Sequence, residues 1–145
     1  MLLICAGCDH GLEPPDEAPF GAIRGAITYV NPLSDWPPSD SLADLRFFAL
    51  PFVPCDTLDL FRDLNQLVFS DRLQYRTTSD NFAIDSVKAQ LYLYSGIAQQ
   101  FSRNLLDWRP VGLTDLYRVR PGEVVELSIT VDFNNPPLFP PDCGP

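Results

Sequence analysis

The sequence predicts an all-β fold, an antiparallel β-sandwich of about seven strands with one short helix. Three observations lead there. Residues 122–133 alternate strictly, with Val125, Leu127, Ile129, Val131 and Phe133 apolar against polar Glu126, Ser128, Thr130 and Asp132, the period of a half-buried strand. Such a strand needs a second apolar layer, and several shorter strand-like runs separated by Pro, Gly, Asn and Asp supply one. Helical spacing occurs in one stretch only, residues 55–73.

The first strand is residues 21–30, with Ile23, Ile27 and Tyr29 on one face and Gly25 in the same row, where a facing side chain can press in. Residues 31–40 are dense in turn formers and read as a surface loop. A second strand, 42–52, sets Leu45, Phe47 and Ala49 opposite Asp44, Arg46 and Phe48; apolar residues on both faces near its end predict a central position or a covered outer face. In 55–73, Leu60, Phe61, Leu64, Leu67 and Val68 recur at helical spacing behind a possible Asp56 or Thr57 cap, predicting two to three helical turns.

Residues 69–75 and 81–87 read as short strands, the latter with Phe82, Ile84 and Ser86 on one face. Residues 88–101 read as a central strand, apolar on both faces, with Gly96 marking a bulge or close packing. Residues 108–113 and 117–122 are short strands, the second ending in a Pro121-Gly122 turn before the alternating strand.

The chain has 145 residues with 46% hydrophobic and 12% aromatic content, enough for one domain with a sizeable core. Nineteen acids against ten bases leave a net charge of −9 and no basic patch, which argues against a nucleic-acid partner. The only histidine, His10, precedes the folded body, so triads and multi-histidine metal sites are not expected there, and no phosphate-binding glycine motif or haem motif occurs. No cofactor or metal is expected. Asp107, Asp115 and Asp132 remain as carboxylates that a small hydrolase would need in pairs.

At the N-terminus, residues 1–8 form a short apolar run ending Ala6-Gly7-Cys8. This resembles the lipobox of bacterial lipoproteins, which implies cleavage before Cys8 and a lipid on its thiol. Residues 1–7 then form a truncated signal segment, and a start codon farther upstream would complete it. Cys5 and Cys8 also read as a redox or metal pair. Residues 8–19, with three prolines and several acids, have the composition of an extended tether or of a frayed terminus. The sandwich domain is expected over 20–135, and a Pro-rich tail over 136–145. With export, Cys55 and Cys143 are expected to form a disulfide that ties this tail to the loop after the second strand.

The runs Ile23-Arg24-Gly25-Ala26-Ile27-Thr28, Leu45-Arg46-Phe47-Phe48-Ala49 and 119–127 resemble carboxypeptidase-regulatory-like domains, which have a prealbumin-like (transthyretin-like) sandwich. That resemblance implies a non-catalytic accessory, structural or binding module of the bacterial envelope, and it transfers no functional residue. The expected function is a non-enzymatic, lipid-anchored envelope module, periplasmic or surface-exposed, that meets the membrane through its anchor and acts by contact with an envelope protein. The alternatives are a carbohydrate-binding or adhesin-like sandwich and a small hydrolase. Candidate binding residues are Trp36, which either faces a ligand or covers an open end of the sandwich, and Trp108 with Arg109, where Trp108 either faces a ligand or fills the core. Tyr92 and Tyr94 form an exposed ladder or lie under the helix.

Overall fold

The computed structural model describes residues 19–144; the signal segment, Cys5, Cys8, His10 and nearly all of the tether lie outside the described residues. The chain folds as an all-β sandwich. One sheet has three strands in the order β4-β1-β9, formed by β1 (Phe20–Tyr29), β4 (Ser79–Lys88) and β9 (Val124–Val131). The other has four in the order β3-β2-β6-β7, formed by β2 (Asp44–Leu50), β3 (Val68–Phe69), β6 (Tyr94–Gln100) and β7 (Trp108–Thr114). A two-residue ladder joins β5 (Leu91–Tyr92) to β8 (Tyr117–Arg118).

The alternating run becomes β9, with Ile129 and Val131 buried and Glu126, Ser128 and Thr130 exposed. It lies beside β1 in parallel, from Ala22 against Val124 to Tyr29 against Val131, so β1 and not β9 is the middle strand of its sheet. The link into β9 turns at Gly122, whose φ of +74° is the left-handed backbone that glycine adopts without strain.

The strand read over 81–87 extends to ten residues, and its inward row runs Phe82, Ile84, Val87 and not Ser86. A bulge explains this: Gly21 pairs with Val87 but Ile23 pairs with Ile84, so one extra residue on β4 shifts the inward position. The run 88–101 divides at Leu93, whose N–H bonds to Leu50 O (3.0 Å), so β5 leaves to join β8 while β6 takes the place between β2 and β7.

The main core lies between the sheets, where Ile23, Ile27, Ile97 and Ile129 are essentially inaccessible and Phe47 stacks on Phe82. At one end Trp36 closes the sandwich against Tyr29 (4.7 Å between centroids) and Phe133 (4.8 Å), with the edge of Tyr75 behind it. The 31–40 loop that delivers Trp36 contains a 3-10 turn at Leu33–Asp35, and a second, Ser39–Ser41, begins within it.

Candidate functional site: an apolar groove on the outer face of the four-stranded sheet

The outward faces of β2, β6 and β7 carry Phe48, Tyr94, Ala98, Trp108 and Pro110, an apolar surface that a sheet leaves dry only if another layer covers it. The cover comes from two places. The helix α1 (Thr57–Arg62), shorter than its spacing predicted, is followed by a 3-10 turn at Leu64–Gln66, and together they bring Leu60, Leu64 and Leu67 over the sheet. From the C-terminal tail comes Phe139, which packs into the same cluster.

A six-residue helix is too short to persist on propensity alone, and two devices hold it. Asp56 accepts the Asp59 N–H (2.9 Å) while the Asp59 carboxylate accepts the Asp56 N–H (3.3 Å), a reciprocal capping box. Immediately before the cap, Cys55 is disulfide-bonded to Cys143 with Cα atoms 5.7 Å apart, so the start of the helix and the end of the tail are one covalent unit. The predicted Cys55–Cys143 disulfide is therefore present.

The cover is incomplete. Between sheet, helix and tail is a groove of about 340 Å³. Trp108 tilts against Phe69 in the lining (5.2 Å between centroids), and Leu105 and Leu106 from the loop before β7 line the groove as well. Leu64, Leu105 and Leu106 line the groove yet are 51%, 78% and 63% exposed, so they stand as an apolar rim. Leu58 and Leu138, each next in sequence to a lining residue, are exposed as well. Arg109 borders the groove and, among the described residues, is the one charged residue of its lining, with no carboxylate taking part. The Tyr94 hydroxyl is buried without a hydrogen-bond partner among the described residues, and burial pushes its pKa up to about 12.

The candidate binding residues separate. Trp108 and Tyr94 share the groove, with Arg109 at its border. Trp36 is only 6% exposed, in the main core, with no face left for a sugar. Tyr92 is fully buried and stacks on Tyr117, whereas Tyr94 packs on Phe48 on the other side of the sheet; an exposed Tyr92–Tyr94 ladder is not formed, because the chain is interrupted at Leu93 between them. Of the rim leucines, Leu64 stands out in the sequence by its helical spacing, whereas Leu105 and Leu106 do not, because they lie in a stretch with no strand or helix period.

The remaining charged clusters are structural in their contacts. Asp44 is 8% exposed and receives Arg46 Nε (2.7 Å) and Arg72 Nε (3.1 Å) together with the Leu45 N–H. Burial pushes its carboxyl up, but the two guanidiniums and the amide outweigh this and hold it below the usual carboxylate range. Asp132 accepts from Asn135, from the Asn134 N–H and from Asn31, which lower its pKa. Asp115 is exposed on the short link after β7. Among the described residues no three potential metal ligands cluster, and no helix is long and apolar enough to cross a membrane. A second hollow, of about 640 Å³, lies over short side chains on the outer face of the three-stranded sheet and is lined in part by Arg24, Asn81, Glu126 and Ser128, so it lacks the apolar character of the first. Compared with family models, curated proteins and solved structures, the chain matches none.

Proposed function

We propose that this chain is a non-enzymatic module of the bacterial envelope, anchored by a lipid on Cys8 and acting by contact with a protein partner through the leucine rim of the groove. The exposed rim carries the reading: Leu64, Leu105 and Leu106 surround a recess already lined by Tyr94, Trp108 and Phe139. Exposed apolar surface grouped on a folded domain marks an interaction site, and Tyr and Trp, both present in this recess, are enriched at binding hot spots. The disulfide, expected in an oxidising compartment, and the lipobox-like residues 1–8 support the envelope setting. The resemblance to carboxypeptidase-regulatory-like domains belongs to the same reading, since such modules work by attachment and contact.

A sugar-binding role would need exposed, coplanar aromatic faces. Trp36 is buried, and Trp108 is tilted by 33° against Phe69, so the protein-contact reading is favoured.

The test is site-specific photocrosslinking in intact envelopes, with the crosslinker placed at Leu106 and, as control, at Thr28 on the outer face of the opposite sheet. A discrete adduct from position 106, absent from position 28 and lost when Leu64→Asp and Leu105→Asp are added, is the expected result. Equal labelling from both positions would remove the rim as the contact surface.

A further inference from the structure

We infer that the groove beneath the rim is a small-molecule site that takes a single hydrocarbon chain of an amphiphile whose head is neutral or anionic. The volume of about 340 Å³ lies within the range of small-ligand pockets, and it is bounded by a sheet, a helix and a tail that are joined covalently. Polarity selects the ligand. Apart from Arg109 at the border, the described residues of the lining carry no charge, so an ionised group inside would meet no counter-ion among them and would lose its hydration. Arg109 is also the only charge that a head group at the mouth would meet from the lining, which disfavours a cationic head and suits a carboxylate or a hydroxyl.

Tyr94 belongs to the same lining. Its ring lines the groove, the residue is 8% exposed, and its hydroxyl has no partner among the described residues. A buried hydroxyl left unpaired is unfavourable, and the Tyr29 hydroxyl and Trp36 Nε1 of the main core share that state, so the selection of an alkyl chain rests on the apolar lining around Tyr94. A chain-first amphiphile fills the apolar volume against Ala98 and Leu60 and leaves its head at the rim.

This inference goes beyond the protein-contact reading and does not depend on it, because a small molecule can occupy the recess whether or not the rim meets a partner. The test uses the purified full chain with its disulfide formed, and no partner. Laurate is titrated while Trp emission and melting temperature are followed, with butyrate and dodecyltrimethylammonium as controls. The expected result is saturable one-to-one binding of laurate with a rise in melting temperature, since a ligand of the native state stabilises it by mass action. Butyrate is expected not to bind, and the cationic amphiphile to bind at least about tenfold more weakly than laurate. Leu64→Asp with Leu106→Asp, both at exposed positions that leave the core intact, is expected to weaken laurate by about tenfold or more. Laurate binding no tighter than butyrate, a fall in melting temperature, or affinity unchanged in the double variant would each overturn the inference. Failure of position 106 to give a discrete adduct in the otherwise unchanged chain, with laurate binding intact, would count against the protein-contact reading alone.

Discussion

Phe47 of β2 and Phe82 of β4 stack across the sandwich with ring centroids 4.1 Å apart and planes 13° from parallel, and the space they use is the side chain that Gly25 lacks. A Cβ at position 25 would lie far inside van der Waals contact of two ring carbons of Phe82, on the strand paired with it. The glycine is thus the place where one sheet makes room for the aromatic pair that joins it to the other.

Gly25→Ala is therefore expected to destabilise the domain by about 1–3 kcal/mol, the range for overpacking a filled core. Phe82→Leu should relieve part of that strain, so a double-mutant cycle in denaturant should show coupling between the two positions. Simple additivity would mean that the ring does not occupy the position-25 space.

Asp44 makes stability depend on pH with a definite sign. Its folded pKa is depressed, so its contribution is complete above the ordinary carboxylate range and is lost as pH falls through the depressed value. Asp44→Asn leaves Arg46 and Arg72 without their carboxylate and is expected to lose about 2 kcal/mol at neutral pH. That difference should shrink progressively on acidification, which denaturant melts at a series of pH values will read.

Removing the disulfide releases both covers of the groove at once. Cys55 and Cys143 are 88 residues apart, and closing so long a loop is worth up to about 4 kcal/mol in the unfolded chain. Cys143→Ser should lower the denaturation midpoint accordingly. It should also raise amide exchange in α1 and in the tail before the strands of the main core, because Phe139 and Leu60 hold only the outer layer.

Asp56→Ala deletes one half of the capping box and is expected to cost about 1 kcal/mol. The effect should be local: amide exchange should rise across Thr57–Arg62, with little change in β1, β4 and β9.

Much of the fold was legible because its strands obey the period of a half-buried sheet. Ile23, Ile27 and Tyr29 face inward as their spacing requires, Gly25 admits Phe82, and the double-faced apolar run of β2 reflects its central place under a covering layer. What the period did not carry was the bulge that turns Val87 inward in place of Ser86, since a one-residue slip leaves no mark on composition. Nor did it reveal that β9 runs parallel at the edge of its sheet, because pairing partners are set by tertiary packing. The groove was only partly legible. Trp108 and Tyr94 were singled out as aromatics, but the tail that walls them is brought back by a disulfide, and the rim residues Leu105 and Leu106 lie in irregular chain. Trp36, an aromatic in a long loop, turned inward because Tyr29 and Phe133 offered it an apolar end to close.

On the proposed function, this sandwich works at a membrane from a lipid on Cys8. The most direct measurement is the intact mass of the chain, expressed in a bacterium with its complete upstream reading frame and recovered from fractionated membranes. The account predicts a mature chain that begins at Cys8, is heavier by a diacylglycerol with or without a further acyl chain, and sits in the membrane fraction. An unmodified chain that retains Met1 and stays in the soluble fraction would contradict it.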